Sequence, residues 1–174
     1  LGDGSLKCWG KNNFGQLGDG TIQDKLTPQL VDLGVGRTAV HVSLGDYHTC
    51  AVLDDGSLKC WGYNSQGQLG IGSYTNQNTP QTVNLGGKTA ISSDLGLFHS
   101  CAVLNDGSLK CWGYNSEGQL GTGSSAGAMP NPSTVNLGVG RTAVSVSLGS
   151  VHSCVVLDNG VLKCWGDNQY GQLG

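Results

Sequence analysis

Leu53-Asp54-Asp55-Gly56-Ser57-Leu58-Lys59-Cys60-Trp61-Gly62, running on into Tyr63-Asn64-Ser65-Gln66-Gly67-Gln68-Leu69-Gly70, is the stretch on which the fold turns. Asp54-Asp55-Gly56 is a strong turn signal, with glycine where a positive φ is needed. On either side, His48-Thr-Cys-Ala-Val-Leu53 and Ser57-Leu-Lys-Cys-Trp61 read as strands, so the segment is a β-hairpin. Closely related strings begin at Leu1, Leu104 and Leu157, a period of 51 to 53 residues, and each ends in Gly-Gln-Leu-Gly at Gly18, Gly121 and Gly174.

Outward from the hairpin, Thr38-Ala-Val-His-Val-Ser43 alternates with the period of a half-buried strand. A fourth, shorter strand is expected at Gln29 to Leu33, just after the turn-setting Pro28. No stretch has convincing helical periodicity. Four short strands in a repeat of about 50 residues is the signature of a propeller blade. The expected fold class is therefore all-β, a β-propeller fragment of about three four-stranded blades with short antiparallel strands. A right-handed parallel solenoid is the rival architecture, and the Asp-Asp-Gly hairpin weighs against it because it implies antiparallel neighbours.

Residues 1–174 read as a single partial propeller, with 1–18 the end of an incomplete repeat and 19–70, 71–121 and 122–174 the successive repeats. Both ends fall inside a repeat, so an excerpt of a longer array is expected. Further blades, from the same chain or a second copy, are expected to cover the terminal faces.

Composition narrows the function classes. The 174 residues carry 9 Lys and Arg against 12 Asp and Glu, a net charge of −3, with 12% charged, 37% hydrophobic and 30 glycines. Charged disordered tails and coiled coils need far more charge. No apolar run reaches the roughly 18 residues of a spanning helix, so no membrane insertion is expected. A slightly acidic chain lacks the Lys and Arg that dominate nucleic-acid affinity, so no nucleic-acid partner is expected either.

Seven cysteines fall at fixed phases: Cys50 and Cys60, Cys101 and Cys111, Cys154 and Cys164, and Cys8 alone. With a three-residue turn and Gly56 left-handed, Leu53 faces Ser57 and Cys50 falls opposite Cys60. Opposed α-carbons about 4.5 to 5.5 Å apart would permit a disulfide in each hairpin. A two-residue turn at Asp55-Gly56 would instead put Cys50 opposite Trp61. Each bridge would contribute somewhat under about 3 kcal/mol, since the entropic effect shrinks with loop length. The partner of Cys8 is expected about ten residues upstream, before Leu1. Regular pairing points to an oxidising compartment: extracellular, periplasmic or cell-surface. His48 and Cys50 share a strand face and Cys60 could oppose them, but no fourth ligand recurs in phase, so no metal is expected.

The string from Leu44 through His48, Ala51, Leu53, Gly56, Trp61-Gly62, Asn64 and Gly67-Gln68-Leu69-Gly70 resembles the repeat of the regulator of chromosome condensation family. Its further copies run from Leu95 to Gly121 and from Leu148 to Gly174, and upstream elements lie at Pro28 to Gly34, Pro80 to Gly86 and, more loosely, Pro132 to Val135. The resemblance spans essentially the whole chain and implies a seven-bladed propeller, about half of it present here. It also implies a structural hydrogen bond for His48, which the family keeps without the cysteines. The paired cysteines are a departure from its intracellular members and mark an extracytoplasmic-type variant.

Trp9, Trp61, Trp112 and Trp165 recur in one context and read as packing residues; the Gly-Trp-Arg-His-Thr motif of a light-sensing member is absent. No phosphate-binding glycine motif appears, so no cofactor is expected. Of the four histidines only His41 lies outside the repeat frame, and no nucleophile can be matched to it, so no catalytic residue and no enzyme activity are expected. The segments after Gly-Gln-Leu-Gly vary most: Asp19 to Thr27, Ile71 to Thr79 and Thr122 to Asn131. Loops on a rigid scaffold are where recognition resides, and Tyr74, Met129 and Asn131 are their most distinctive candidates for partner binding. The sequence thus reads as a non-enzymatic extracytoplasmic scaffold for protein recognition or assembly. A structural subunit of an extracellular filament, sheath or appendage is the second reading. Guanine nucleotide exchange on a small GTPase, which the resemblance implies for some members, is the third.

Overall fold

The computed structural model describes residues 4–174; Leu1 to Asp3, where the first recurrent string begins, lie outside the described residues. Among the described residues thirteen strands follow one another without a helix: β1 (Lys7–Gly10), β2 (Lys25–Leu30), β3 (Ala39–Leu44), β4 (His48–Leu53), β5 (Leu58–Gly62), β6 (Gln77–Thr82), β7 (Ala90–Leu95), β8 (His99–Leu104), β9 (Leu109–Gly113), β10 (Met129–Thr134), β11 (Ala143–Leu148), β12 (His152–Leu157) and β13 (Leu162–Gly166). They form four antiparallel sheets, β1-β2, β3-β4-β5-β6, β7-β8-β9-β10 and β11-β12-β13. Two blades are therefore complete with four strands, one has three and one has two. The fold is a partial propeller, and the parallel solenoid is excluded by the antiparallel pairing throughout.

The turn chemistry sets the register. Gly56 has φ +77°, its N–H donates to the Leu53 carbonyl at 2.8 Å, and Leu53 N–H donates to Ser57 at 2.9 Å, closing a three-residue loop. Counting outward from that bonded pair, Cys50 faces Cys60 at a position without backbone hydrogen bonds, where strands approach most closely. The structure bridges Cys50–Cys60, Cys101–Cys111 and Cys154–Cys164, each with α-carbons 4.1 Å apart, somewhat closer than the expected separation. The first two bridges are fully buried, whereas Cys154 and Cys164 are half-exposed. Under mild reductant in the native state, followed by alkylation and peptide mass mapping, Cys154 and Cys164 should be labelled well before the other four. Equal labelling of all three pairs would contradict the burial difference.

The fourth strand corrects the sequence expectation. It lies at Lys25–Leu30 rather than Gln29 to Leu33, and it pairs with the hairpin that precedes it, as β6 pairs with β5. Val31 and Leu33 looked like strand alternation, but they follow the end of the strand and are buried against Ala51, Leu53 and Trp61 of the next blade. Pro28, Pro80, Pro130 and Pro132 all sit in these strands, which are sheet edges and tolerate a residue without N–H.

Adjacent sheets share their cores. Val52, Leu58, Leu69, Val83 and Leu85 pack with Ala90, Leu95, Ala102, Leu104 and Trp112 of the following blade. Consequently every residue of β4 and β8 is buried, on both faces, whereas β12 alternates half-exposed and buried. Strands β3, β7 and β11 contact one another across blades and line the common axis.

Candidate functional site

The seams between blades are built from the repeat motif itself. The carbonyls of Gln16, Gln68 and Gln119, in the first three Gly-Gln-Leu-Gly turns, accept the indole N–H of Trp61, Trp112 and Trp165 at 2.9 Å each. The same carbonyls accept the hydroxyls of Thr49, Ser100 and Ser153 at 2.9, 2.8 and 2.7 Å. Ser100 also receives His48 Nε2 at 2.8 Å, and Ser153 receives His99 Nε2 at 2.9 Å. Each serine proton is committed to a carbonyl, so the imidazole must donate and is the neutral Nε2–H tautomer.

The remaining ring atoms, Nδ1 of His48 and of His99, are buried without a partner. Burial, and secondarily the neighbouring His99, pushes the pKa of His48 down to about 3; burial, and secondarily His152, pushes that of His99 to about 4. These histidines are seam hydrogen-bonders. The cysteines beside them are bonded to each other, so the three soft ligands of a repeat do not converge on one point. His41 Nε2 lies 2.9 Å from the Ser93 carbonyl and 3.3 Å from Ser43 Oγ, a second inter-blade link near the axis. Cys8 is half-buried on β1, and burial together with Asp19 raises its pKa to about 11, so the thiol stays protonated.

The variable loops are anchored at their bases. Asn64 Nδ2 donates to the carbonyls of Ser73 and Thr75 at 2.9 and 3.0 Å, while its Oδ1 accepts Leu69 N–H at 2.9 Å. Asn12 does the same in the first loop, reaching Thr21 and Gln23 carbonyls at 3.1 Å and Asp19 Oδ1 at 3.2 Å. From these bases the loops of successive repeats meet. Gly72 N–H donates to the Pro130 carbonyl at 2.9 Å, and Tyr74 Oη reaches the Ala128 carbonyl at 3.4 Å. Tyr74 and Asn131 are exposed and adjacent to this contact, whereas Met129 is half-buried against the core below it.

A second cluster was not anticipated from sequence. Phe14, Tyr47, Tyr63 and Phe98, all half-buried, bring their rings together with centroids 4.6 to 6.1 Å apart. Tyr47 and Phe98 come from the turns between β3 and β4 and between β7 and β8, Tyr63 follows β5, and Phe14 precedes the first Gly-Gln-Leu-Gly. The available signal was positional: Tyr47 and Phe98 hold the same variable place before His48 and His99. The cluster lies at the same end of the sheets as the variable loops, since Gly62 pairs with both His48 and Gln77.

A model of the regulator of chromosome condensation (RCC1) repeat matches residues 3–52, 55–103 and 106–156. The chain belongs to the RCC1 repeat family. It is 33% identical over 173 residues to the ultraviolet-B receptor UVR8 of Arabidopsis thaliana, covering 99% of this chain and 39% of that protein. It is 31% identical over 174 residues to the E3 ubiquitin-protein ligase HERC2 of Homo sapiens, covering 98% of this chain and 4% of that one. The chain spans well under half the length of these relatives. Among solved structures, human WBSCR16 superposes with TM-score 0.88 at 24% identity, covering 99% of this chain and 45% of that one. Prp20p from Saccharomyces cerevisiae, studied for its binding to Gsp1p and histones, gives 0.81 at 23% identity, covering 97% and 42%. At these identities the two structures establish the propeller fold alone. RCC1-type propellers serve in general as protein-interaction scaffolds, and in the HERC ligases the repeats accompany an enzyme.

Proposed function

We propose that the chain is the repeat region of a non-enzymatic, extracytoplasmic recognition scaffold, whose variable loops bind a protein partner. The observation that carries this reading is the rigid mounting of those loops. Asparagine amides clamp each base, hydrogen-bonded seams fix neighbouring blades, and Tyr74 and Asn131 are left exposed where two loops meet. Three hairpin disulfides support an oxidising compartment. Cys8 holds the place on β1 that Cys60 holds on β5, each facing a glutamine of the following strand. No helix among the described residues is long and apolar enough to cross a membrane.

The test is alanine replacement of residues 122–131 together with Tyr74→Ala, with a retained circular dichroism spectrum as the folding control. A protein captured by the parent scaffold from extracellular or periplasmic material should be lost, with affinity falling about tenfold or more. Undiminished capture refutes the loop assignment.

The filament reading rests on a different surface. Trp9 and Leu44 at one end of the described blades and Val144 and Leu162 at the other are exposed apolar side chains, suited to stacking on further blades of the same chain or of another copy.

A further inference from the structure

Asn159-Gly160 is the only asparagine–glycine pair in the chain. It stands at the tip of the β12–β13 hairpin, where the β4–β5 and β8–β9 hairpins carry Asp55-Gly56 and Asp106-Gly107. Both residues are exposed. Glycine has no β-carbon to keep its backbone nitrogen away from the preceding side chain, which is the steric condition for an asparagine carboxamide to be attacked by its own main chain.

The turn holds that carboxamide in place. Asn159 Oδ1 accepts the Val161 N–H at 3.2 Å, as Asp55 accepts from Ser57 and Asp106 from Ser108. The bond folds the side chain back over the Gly160 peptide, and it puts a donor on the oxygen that gains negative charge when Cγ is attacked. A second bond restrains the reaction. Gly160 N–H donates to the Leu157 carbonyl at 2.9 Å, so the loop must open there before the nitrogen is free.

We infer that Asn159 is a site of spontaneous deamidation, and that the aspartate it yields supplies Arg141 with a second carboxylate. The Gly160 nitrogen bonds to Asn159 Cγ, and its proton leaves with the side-chain amide nitrogen as ammonia, closing a succinimide ring. Water then adds to one of the two ring carbonyls and breaks its bond to that nitrogen. Opening at the side-chain carbonyl leaves an aspartate in the ordinary chain. Opening at the main-chain carbonyl leaves an isoaspartate, whose backbone runs through the former side chain.

The other repeats show what the first product meets. Arg37 Nη1 lies 3.6 Å from Asp54 and 2.9 Å from Asp55, and Lys88 pairs with Asp106. In the third hairpin Arg141 Nη1 pairs with Asp158 at 3.5 Å, while the neutral Asn159 stands in the place of Asp55. The aspartate product thus fits the existing turn. The isoaspartate product lengthens the main chain by one methylene inside the loop that sets Cys154 opposite Cys164.

The folded chain, held for weeks at neutral and at mildly alkaline pH, is digested and mapped by mass. The peptide containing Asn159 should gain one mass unit ahead of every other asparagine peptide, and severalfold faster at the higher pH, because the attacking nitrogen must lose its proton. The products should separate chromatographically into two, one of them co-eluting with the peptide of Asn159→Asp. Urea should quicken the reaction by freeing the Gly160 N–H. Asn159→Gln, which would have to close a larger ring, should stay intact. The Asn159→Asp chain should unfold at a higher urea concentration than the parent, whereas chain carrying isoaspartate should have Cys154 and Cys164 alkylated sooner under mild reductant. An Asn159 that stays intact in the folded chain, earlier modification of another asparagine, or a lower urea midpoint for Asn159→Asp would each overturn the proposal.

Discussion

Trp112→Ala should destabilise the chain by about 3–5 kcal/mol, the range for truncating a buried tryptophan. The indole is fully buried in a core drawn from two blades, and its N–H donates to the Gln68 carbonyl at 2.9 Å. That carbonyl keeps the Ser100 hydroxyl at 2.8 Å, so most of the loss is packing rather than an orphaned acceptor. Gly70 is the counterpart of the tryptophan. It has φ +70°, and a β-carbon placed on it would lie 2.6 Å from Trp112 Nε1, so Gly70→Ala alone should also be strongly destabilising. In the Trp112→Ala background the extra methyl enters vacated space, and Gly70→Ala should then cost markedly less. Urea unfolding of the two single variants and the double variant measures this coupling. Strict additivity would mean that the Gly-Gln-Leu-Gly turn and the tryptophan do not form one seam.

Acid should loosen the same seams well before it protonates the carboxylates. His48 and His99 are held neutral in the folded state, with pKa values of about 3 and about 4, against an ordinary value of 6.5. The unfolded chain therefore binds protons first. Stability is fully present above about pH 6.5 and declines as pH falls toward the folded values, by about 1 kcal/mol or slightly more per pH unit for each histidine. Hydrogen bonds from Ser57 hold Asp55 down to about 2, and Lys88 and Ser108 lower Asp106 likewise. Their contributions are lost only below the ordinary carboxylate range, so the interval from about pH 6.5 to about 4.5 belongs to the histidines. The midpoint of urea unfolding should fall steadily across it. His48→Gln combined with His99→Gln should flatten the profile while lowering stability at pH 7. A parent profile that is already flat would show that the two imidazoles are not buried and neutral.

The hairpin, its disulfide and the repeat frame were legible in the sequence because each rests on short-range spacing. Asp54-Asp55-Gly56 sets the turn, the turn sets the register, and the register places Cys50 against Cys60. The fourth strand was misplaced for the opposite reason. Lys25-Leu-Thr-Pro-Gln-Leu30 has little strand character of its own, and it becomes a strand by pairing with β1, while the apolar Val31 and Leu33 follow its end and cover the next blade. Of the candidate surface, the variability of the loops after Gly-Gln-Leu-Gly was visible, but the meeting of Tyr74 with Ala128, 54 residues away, was not.

The amino-acid order alone thus determined the all-β repeat, its hairpin geometry, its family and the positions free to vary, since all of these follow from local spacing and its recurrence. Which of those free positions become neighbours was decided only when the blades stacked. Stacking carries the 52-residue step from His48 to Ser100 into a 2.8 Å hydrogen bond, and it gathers Phe14, Tyr47, Tyr63 and Phe98 from three repeats into one patch. Contacts between wedges depend on the angle and depth at which whole sheets pack, and no pattern within a single repeat encodes that.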